Sequence, residues 1–125
     1  MKLRKKCLKL WGKIIIAAAK GRCERCPKEA KNGHHIITRG TSPNPMWLSL
    51  ENGVALCIDC HINWAHSTDF DRQLVFNQWV REHLKNKGLD YEVLKIKAKA
   101  RGSLSMFDYE IIFKELSKKL NIIMG

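Results

Sequence analysis

The chain has 125 residues, 45% hydrophobic and 28% charged, a composition that fits one packed domain and argues against extensive disorder. Its 23 Lys and Arg against 12 Asp and Glu leave a formal net charge of +11, which favours a polyanionic partner, nucleic acid ahead of an anionic membrane surface. No apolar run approaches the ~20 residues that a membrane span requires.

In chain order, residues 1–22 read as a basic segment, helical over 3–20. Leu3, Cys7, Leu10, Trp11, Ile14 and Ile15 recur at spacings of three and four, with lysines between them. Gly21 is a stop signal. Lys2, Arg4, Lys5, Lys6, Lys9, Lys13 and Lys20 fall in this stretch, and no acid does. The basic start followed by Ile14–Ala19 has the outline of a secretory leader. Its apolar part is shorter than the ~7–15 residues such a leader needs, and Lys9 and Lys13 interrupt what precedes it. The expectation is therefore a cytoplasmic protein with reduced thiols, whose cysteines need a purpose other than disulfides.

Residues 23–66 hold both cysteine pairs, most of the histidines and all three prolines, so this core reads as short strands and loops. A strand is expected over His34–Thr38 and a second over Val54–Cys57. Gly40–Pro45 reads as a loop, and Ile58–His66 as a helix of about two turns. Residues 67–125 form a helical extension. Thr68 and Asp71 resemble a capping box, and a helix follows on Phe76, Val80 and Leu84, with Val75, Trp79 and His83 repeating likewise, until Gly88. Residues 91–101 alternate like a strand but are rich in Ala and Lys, and helix is the preferred reading. Ser105 and Asp108 form a second capping box before Ile112, Phe113, Leu116, Leu120 and Ile123. The expected class is α+β, mainly helical, within one domain.

Cys23-Glu-Arg-Cys26 and Cys57-Ile-Asp-Cys60 are both CxxC. Two such turns supply the four thiolates of a tetrahedral structural zinc site, which also staples a small, loop-rich core. Residues 27–56 separate them, a wider gap than in common zinc ribbons, so something substantial must lie between the knuckles. Cys7 lies on the apolar face of the first helix and reads as core filler.

His34 and His35 open the first strand, Asn52 precedes the second, and His61 follows Cys60 directly. Zinc at Cys57 and Cys60 would fix the direction of His61. Adjacent strand residues point to opposite faces, so His34 and His35 divide their labour. One binds a metal with His61, and the other addresses a water or phosphate.

The run His34-His35-Ile36, then Asn52, then Leu56-Cys57-Ile58-Asp59-Cys60-His61, preceded by Cys23 and Cys26, resembles the HNH endonucleases, the ββα-metal or His-Me finger nucleases. It looks most like their small phage-borne members. The resemblance covers roughly residues 20–66, and the nine positions from Asn52 to His61 agree with it. It implies a ββα-metal core with two zinc knuckles, flanked by the basic helix and the C-terminal helices. It implies a DNA endonuclease with His35 as general base, Asn52 orienting the His35 ring from the loop, and His34 and His61 binding one catalytic divalent metal (Mn²⁺, Ni²⁺, Co²⁺, Zn²⁺ or Mg²⁺). Many members have Asp where this chain has His34, and imidazole favours the transition metals over Mg²⁺.

The colicin DNases of the family carry a third histidine four residues after the position of His61. Here that position is Ala65. His66 is five residues on, which turns an α-helix ~140° off the ligand face. His66 is thus only a candidate third ligand or phosphate contact, and otherwise ends the helix, where a cation is favourable. Arg39 is a candidate phosphate contact, and Trp47 reads as core rather than as a base-stacking residue. Lys2, Lys5, Lys6 and Lys9 are the expected DNA-binding residues, with Lys95, Lys97, Lys99 and Arg101 a second basic run. Two rival readings are a non-catalytic zinc-dependent nucleic-acid-binding module and a structural protein such as a phage assembly component. Nothing in the sequence requires a homodimer, although the C-terminal helices offer a surface for one.

Overall fold

A computed structural model describes residues 2–38, 45–99 and 104–124. Helix α1 spans Leu3–Ala18, strand β1 Asn32–His35 and strand β2 Gly53–Leu56. A π-helical segment follows at Cys60–Ala65, and then helices α2 (Phe70–Asn86), α3 (Tyr91–Lys99) and α4 (Met106–Met124). The described residues are mainly helical, with one small antiparallel sheet, which is compatible with an α+β class. No helix among them is long and apolar enough to cross a membrane.

The two strands pair with His34 opposite Val54 and His35 opposite Gly53. All four residues of β2 are buried, so both faces of this strand are covered. Its alternation divides the interior in two. Val54 and Leu56 join Phe76, Val80 and Leu84 of α2, Leu94 of α3 and Cys23, Cys57 and Cys60 of the CxxC pairs. Ala55 joins Cys7, Trp11, Ile14 and Ile15 of α1 and Leu116 of α4.

Helix α1 lies unusually close to the sheet because the facing residues are glycine. A Cβ on Gly33 would come within 3.3 Å of the Gly12 backbone, and one on Gly53 would collide with Ile15 Cδ1 and lie 2.7 Å from Trp11 Cζ2. The helix ends in a left-handed turn, with φ of 57° at Lys20 and 77° at Gly21. The apolar stripe expected on α1 is the buried one, and Cys7 is core filler as expected, its Sγ 3.4 Å from the Tyr109 carbonyl.

Several boundaries differ from expectation. The first strand is Asn32–His35 rather than His34–Thr38, because β2 begins only at Gly53, opposite His35, and leaves the residues beyond His35 without a strand partner. The β-branched Ile36–Thr38 therefore follow the strand instead of forming it. The second strand is shifted one residue, since Cys57 turns into the knuckle, where its Sγ accepts the Cys60 N–H. Helix α2 is capped by Asp69, whose carboxylate accepts the Arg72 N–H at 3.1 Å, and not by Thr68. Residues 91–99 are helical, and Ser105 with Asp108 closes a reciprocal capping box, both as expected. The segment expected as a two-turn α-helix at 58–66 is α-helical only at Ile58–Asp59 and then widens to π.

Candidate metal centres and the histidine cleft

The first knuckle is closed by the Cys23 N–H donating to the Lys28 carbonyl at 2.8 Å and by an isolated bridge between Arg22 and Glu29. It is tied to β2 by the Glu24 N–H donating to the Ala55 carbonyl and by the Glu24 carboxylate accepting the Ala55 N–H. The second knuckle leaves β2 directly. Sγ atoms of Cys23, Cys26, Cys57 and Cys60 all lie within 4.8 Å of one another, and those of Cys26 and Cys57 are 3.4 Å apart. Tetrahedral zinc with bonds of ~2.3 Å places its sulphurs ~3.8 Å apart, so this four-cysteine set fits a structural zinc ion. The thiols do not behave alike. Burial pushes Cys60 up to about 12, against the neighbouring Arg25. Burial also works on Cys57, but the Cys60 N–H and the surrounding sulphurs bring it down to about 7.

The second centre lies at the rim of the sheet. The side-chain nitrogens of His34, His61 and His66 lie within 4.8 Å of one another. His34 comes from β1, His61 from the first turn after Cys60, and His66 from the end of the π-helical segment. The expectation that His66 falls off the ligand face is corrected here. The His66 N–H bonds to the His61 carbonyl at 3.0 Å, an i→i+5 bond that closes a wider turn than an α-helix. Residues five apart are thereby brought together, the two rings meeting edge-on with centroids 4.7 Å apart and the two Nε2 atoms 3.1 Å apart. Nitrogens bound at ~2.0–2.1 Å to one tetrahedral ion would be ~3.3 Å apart, so the donors suit a single cation.

Burial, followed by the neighbouring His61, His66 and His35, brings His34 down to about 3. Burial and then His66 lower His61 as well. Both imidazoles are therefore neutral near pH 7, the state in which the ring nitrogens offer lone pairs to a metal. Phe76 packs edge-on to His34, with centroids 5.6 Å apart.

His35 points to the opposite face of β1, as strand alternation requires. Its ring is stacked between the indoles of Trp11, at 3.9 Å and 4°, and Trp47, at 3.6 Å and 3°. Burial lowers it to about 4, opposed by a hydrogen bond to the Trp47 backbone. Its Nε2 is buried with no hydrogen-bond partner among the described residues. All four histidines nonetheless share one cleft of about 400 Å³, which Leu8, Trp11, Gly12, Gly33, Thr38 and Trp47 complete.

Asn52 is fully buried. Its Oδ1 accepts the Ile37 N–H at 2.7 Å, and its Nδ2 donates to the Ile37 carbonyl at 3.0 Å. The clasp holds the chain two residues after His35, so Asn52 acts on the loop backbone. Lys2, Lys5, Lys6 and Lys9 are all exposed on or beside α1, whose Leu8 borders the cleft. Arg39 and Arg101 lie outside the described residues. Lys97 pairs with Glu51 at 3.5 Å. The stack of Trp11 and Trp47 on His35 was not foreseen; both tryptophans carry apolar signals that mark core positions without revealing what they pack against.

Searches against family models, curated proteins and solved structures found no match to this chain.

Proposed function

We propose that the chain is a metal-dependent endonuclease of the HNH, or ββα-metal, type that hydrolyses DNA phosphodiester bonds. The observation that carries this reading is the convergence of His34, His61 and His66 into a metal-ready set beside His35, whose buried Nε2 has no partner among the described residues, in one cleft. The exposed lysines of α1 and the charge of +11 supply the attraction to a phosphate backbone.

In this reading His34, His61 and His66 hold one divalent ion, which when bound supplies Lewis-acid stabilisation of charge at the scissile phosphate. Three imidazoles favour Mn²⁺, Co²⁺, Ni²⁺ or Zn²⁺ over Mg²⁺. His35 is the general base. Burial keeps it neutral at pH 7, so it can accept a proton from the attacking water at Nε2. Its bond to the Trp47 backbone uses the other ring nitrogen and fixes the tautomer. The flanking indoles fix the ring plane and exclude competing water. Because Nε2 is buried, proton transfer requires a local shift that admits water to the edge of the ring. Asn52 holds the post-strand loop, and with it the backbone that carries His35.

The covering of Nε2 also favours a second reading, a non-catalytic zinc-dependent nucleic-acid-binding module. Nicking of supercoiled plasmid across a metal series separates the two. Wild type is expected to nick, fastest with a transition metal, whereas His35→Ala retains fold, zinc and DNA affinity but loses cleavage. Equal nicking by wild type and His35→Ala, or none by either under any metal, rejects the nuclease reading.

A further inference from the structure

Arg25 sits between the two cysteines of the first knuckle, and its contacts lead in two directions. Its Nη1 donates to Cys60 Sγ at 3.6 Å. Four thiolates around a divalent ion form a doubly negative centre, and a guanidinium at this sulphur compensates part of that charge. Its Cζ also lies 4.3 Å from the Trp64 ring centroid and 5.9 Å from that of Phe76. Trp64 belongs to the π-helical segment, between His61 and His66. Phe76 packs edge-on against His34. One side chain therefore touches the sulphur site and a neighbour of every histidine in the metal-ready set.

We infer that Arg25 is a positioning residue, which couples the four-cysteine site to the histidine site through Trp64 and Phe76. The inference rests on the proposed role of His34, His61 and His66 as ligands of the catalytic metal. Arginine suits the task because a planar guanidinium can donate at its edge while its face lies over an indole. Lysine keeps the charge but has no such face. Packing around Trp64 holds the wide turn that brings His66 to His61, so loosening it misaligns the two Nε2 atoms.

The test is metal binding, not turnover. Full-length, zinc-loaded protein is titrated with Co²⁺ or Mn²⁺ by calorimetry, alongside Arg25→Met, Arg25→Lys, Trp64→Leu and the Arg25→Met/Trp64→Leu double variant. Removing a residue that hydrogen-bonds a metal ligand directly costs about 10- to 100-fold in metal affinity. Arg25 reaches the histidines only through Trp64 and Phe76, so Arg25→Met is expected to weaken the histidine site by less than that, several-fold, while keeping its four-cysteine zinc. Arg25→Lys is expected to recover little of the loss. Trp64→Leu is expected to weaken binding similarly, and the double variant to be no worse than the stronger single variant.

Unchanged histidine-site affinity in Arg25→Met, or additive losses in the double variant, overturns the inference. If Arg25→Met loses zinc or fails to fold, Trp64→Leu decides alone, since it leaves the sulphur contact intact; wild-type affinity there also overturns it. Wild-type protein that binds no metal at the histidines defeats the proposed function and this inference together. A wild type that binds, with variants that bind equally well, defeats only the inference.

Discussion

Replacing Asn52 with alanine removes a two-point clasp from the interior. The side chain is fully buried and makes hydrogen bonds of 2.7 Å and 3.0 Å to the Ile37 N–H and carbonyl. Each is worth about 1 kcal/mol net, and the void left behind adds about 1 kcal/mol. The expected loss is about 3 kcal/mol, a large share of the ~5–15 kcal/mol that holds a domain folded. Asn52→Asp sharpens the test. The carboxylate still accepts the Ile37 N–H, but its second oxygen meets a carbonyl that it can satisfy only when protonated. Burial raises the carboxyl's folded pKa above its unfolded value, so its penalty is full above the folded pKa and relieved as pH falls through it. Urea denaturation followed by tryptophan fluorescence gives the stabilities. Asn52→Ala is expected to unfold at a clearly lower urea concentration than wild type, and the gap between the Asp and Ala variants to shift in favour of Asp as pH falls. Taking that gap between two variants cancels acid effects on the cysteine site. A midpoint for Asn52→Ala equal to that of wild type would show that the clasp contributes nothing, and the account of how the His35 loop is held would be wrong.

Three further outcomes are expected. Stripping the four-cysteine site with a strong chelator should abolish near-ultraviolet circular dichroism, because structural zinc contributes folding free energy directly; a chelated protein with its tertiary spectrum intact would contradict this. His35 is lowered from 6.5 to about 4, so the folded chain binds fewer protons than the unfolded one, and this contribution to stability is complete above pH 6.5 and lost as pH falls toward 4. Melting temperatures should therefore drop more steeply over that window in wild type than in His35→Phe, and parallel curves would refute the assignment. Neutralising Lys2, Lys5, Lys6 and Lys9 together should weaken DNA binding and flatten its dependence on salt, by about 0.9 in logarithmic slope for each phosphate that the protein no longer neutralises. Fluorescence anisotropy over a salt series reads the slope directly, and an unchanged slope would remove α1 from the footprint.

Much of the framework could be read from residue order because it rests on local chemistry. The CxxC pairs carry their own geometry, and the structure brings their four sulphurs together. The apolar stripe of α1 and the repeats of α2 and α4 follow the helical period, which marked Trp11, Phe76, Val80, Leu84 and Leu116 as inward-facing, although Val75 and Ile123 of the same repeats are exposed. The capping box at Ser105 and Asp108 is a four-residue signal and is present in the structure. Boundaries were less secure. Ile36–Thr38 have the composition of a strand, but a strand also needs a partner, and β2 begins only opposite His35.

Residue order marked the histidines as chemistry-bearing but could not arrange them. In the segment after Cys60, nothing local distinguishes an i→i+4 turn from an i→i+5 turn. The outcome depends on contacts at both ends, with Cys57 and Cys60 held in the sulphur cluster and Trp64 packed beneath Arg25. That single extra residue per turn changes His66 from a misdirected side chain to a neighbour of His61 at 3.1 Å. The indole stack on His35 is likewise non-local, built from Trp11 on α1 and Trp47 far along the chain, and admitted by the absence of a Cβ at Gly33 and Gly53. Spacing along a chain dictates which side chains share a face. Which faces then meet, and how closely, is settled by packing between segments remote in sequence, and the histidine cleft belongs to that second kind of information.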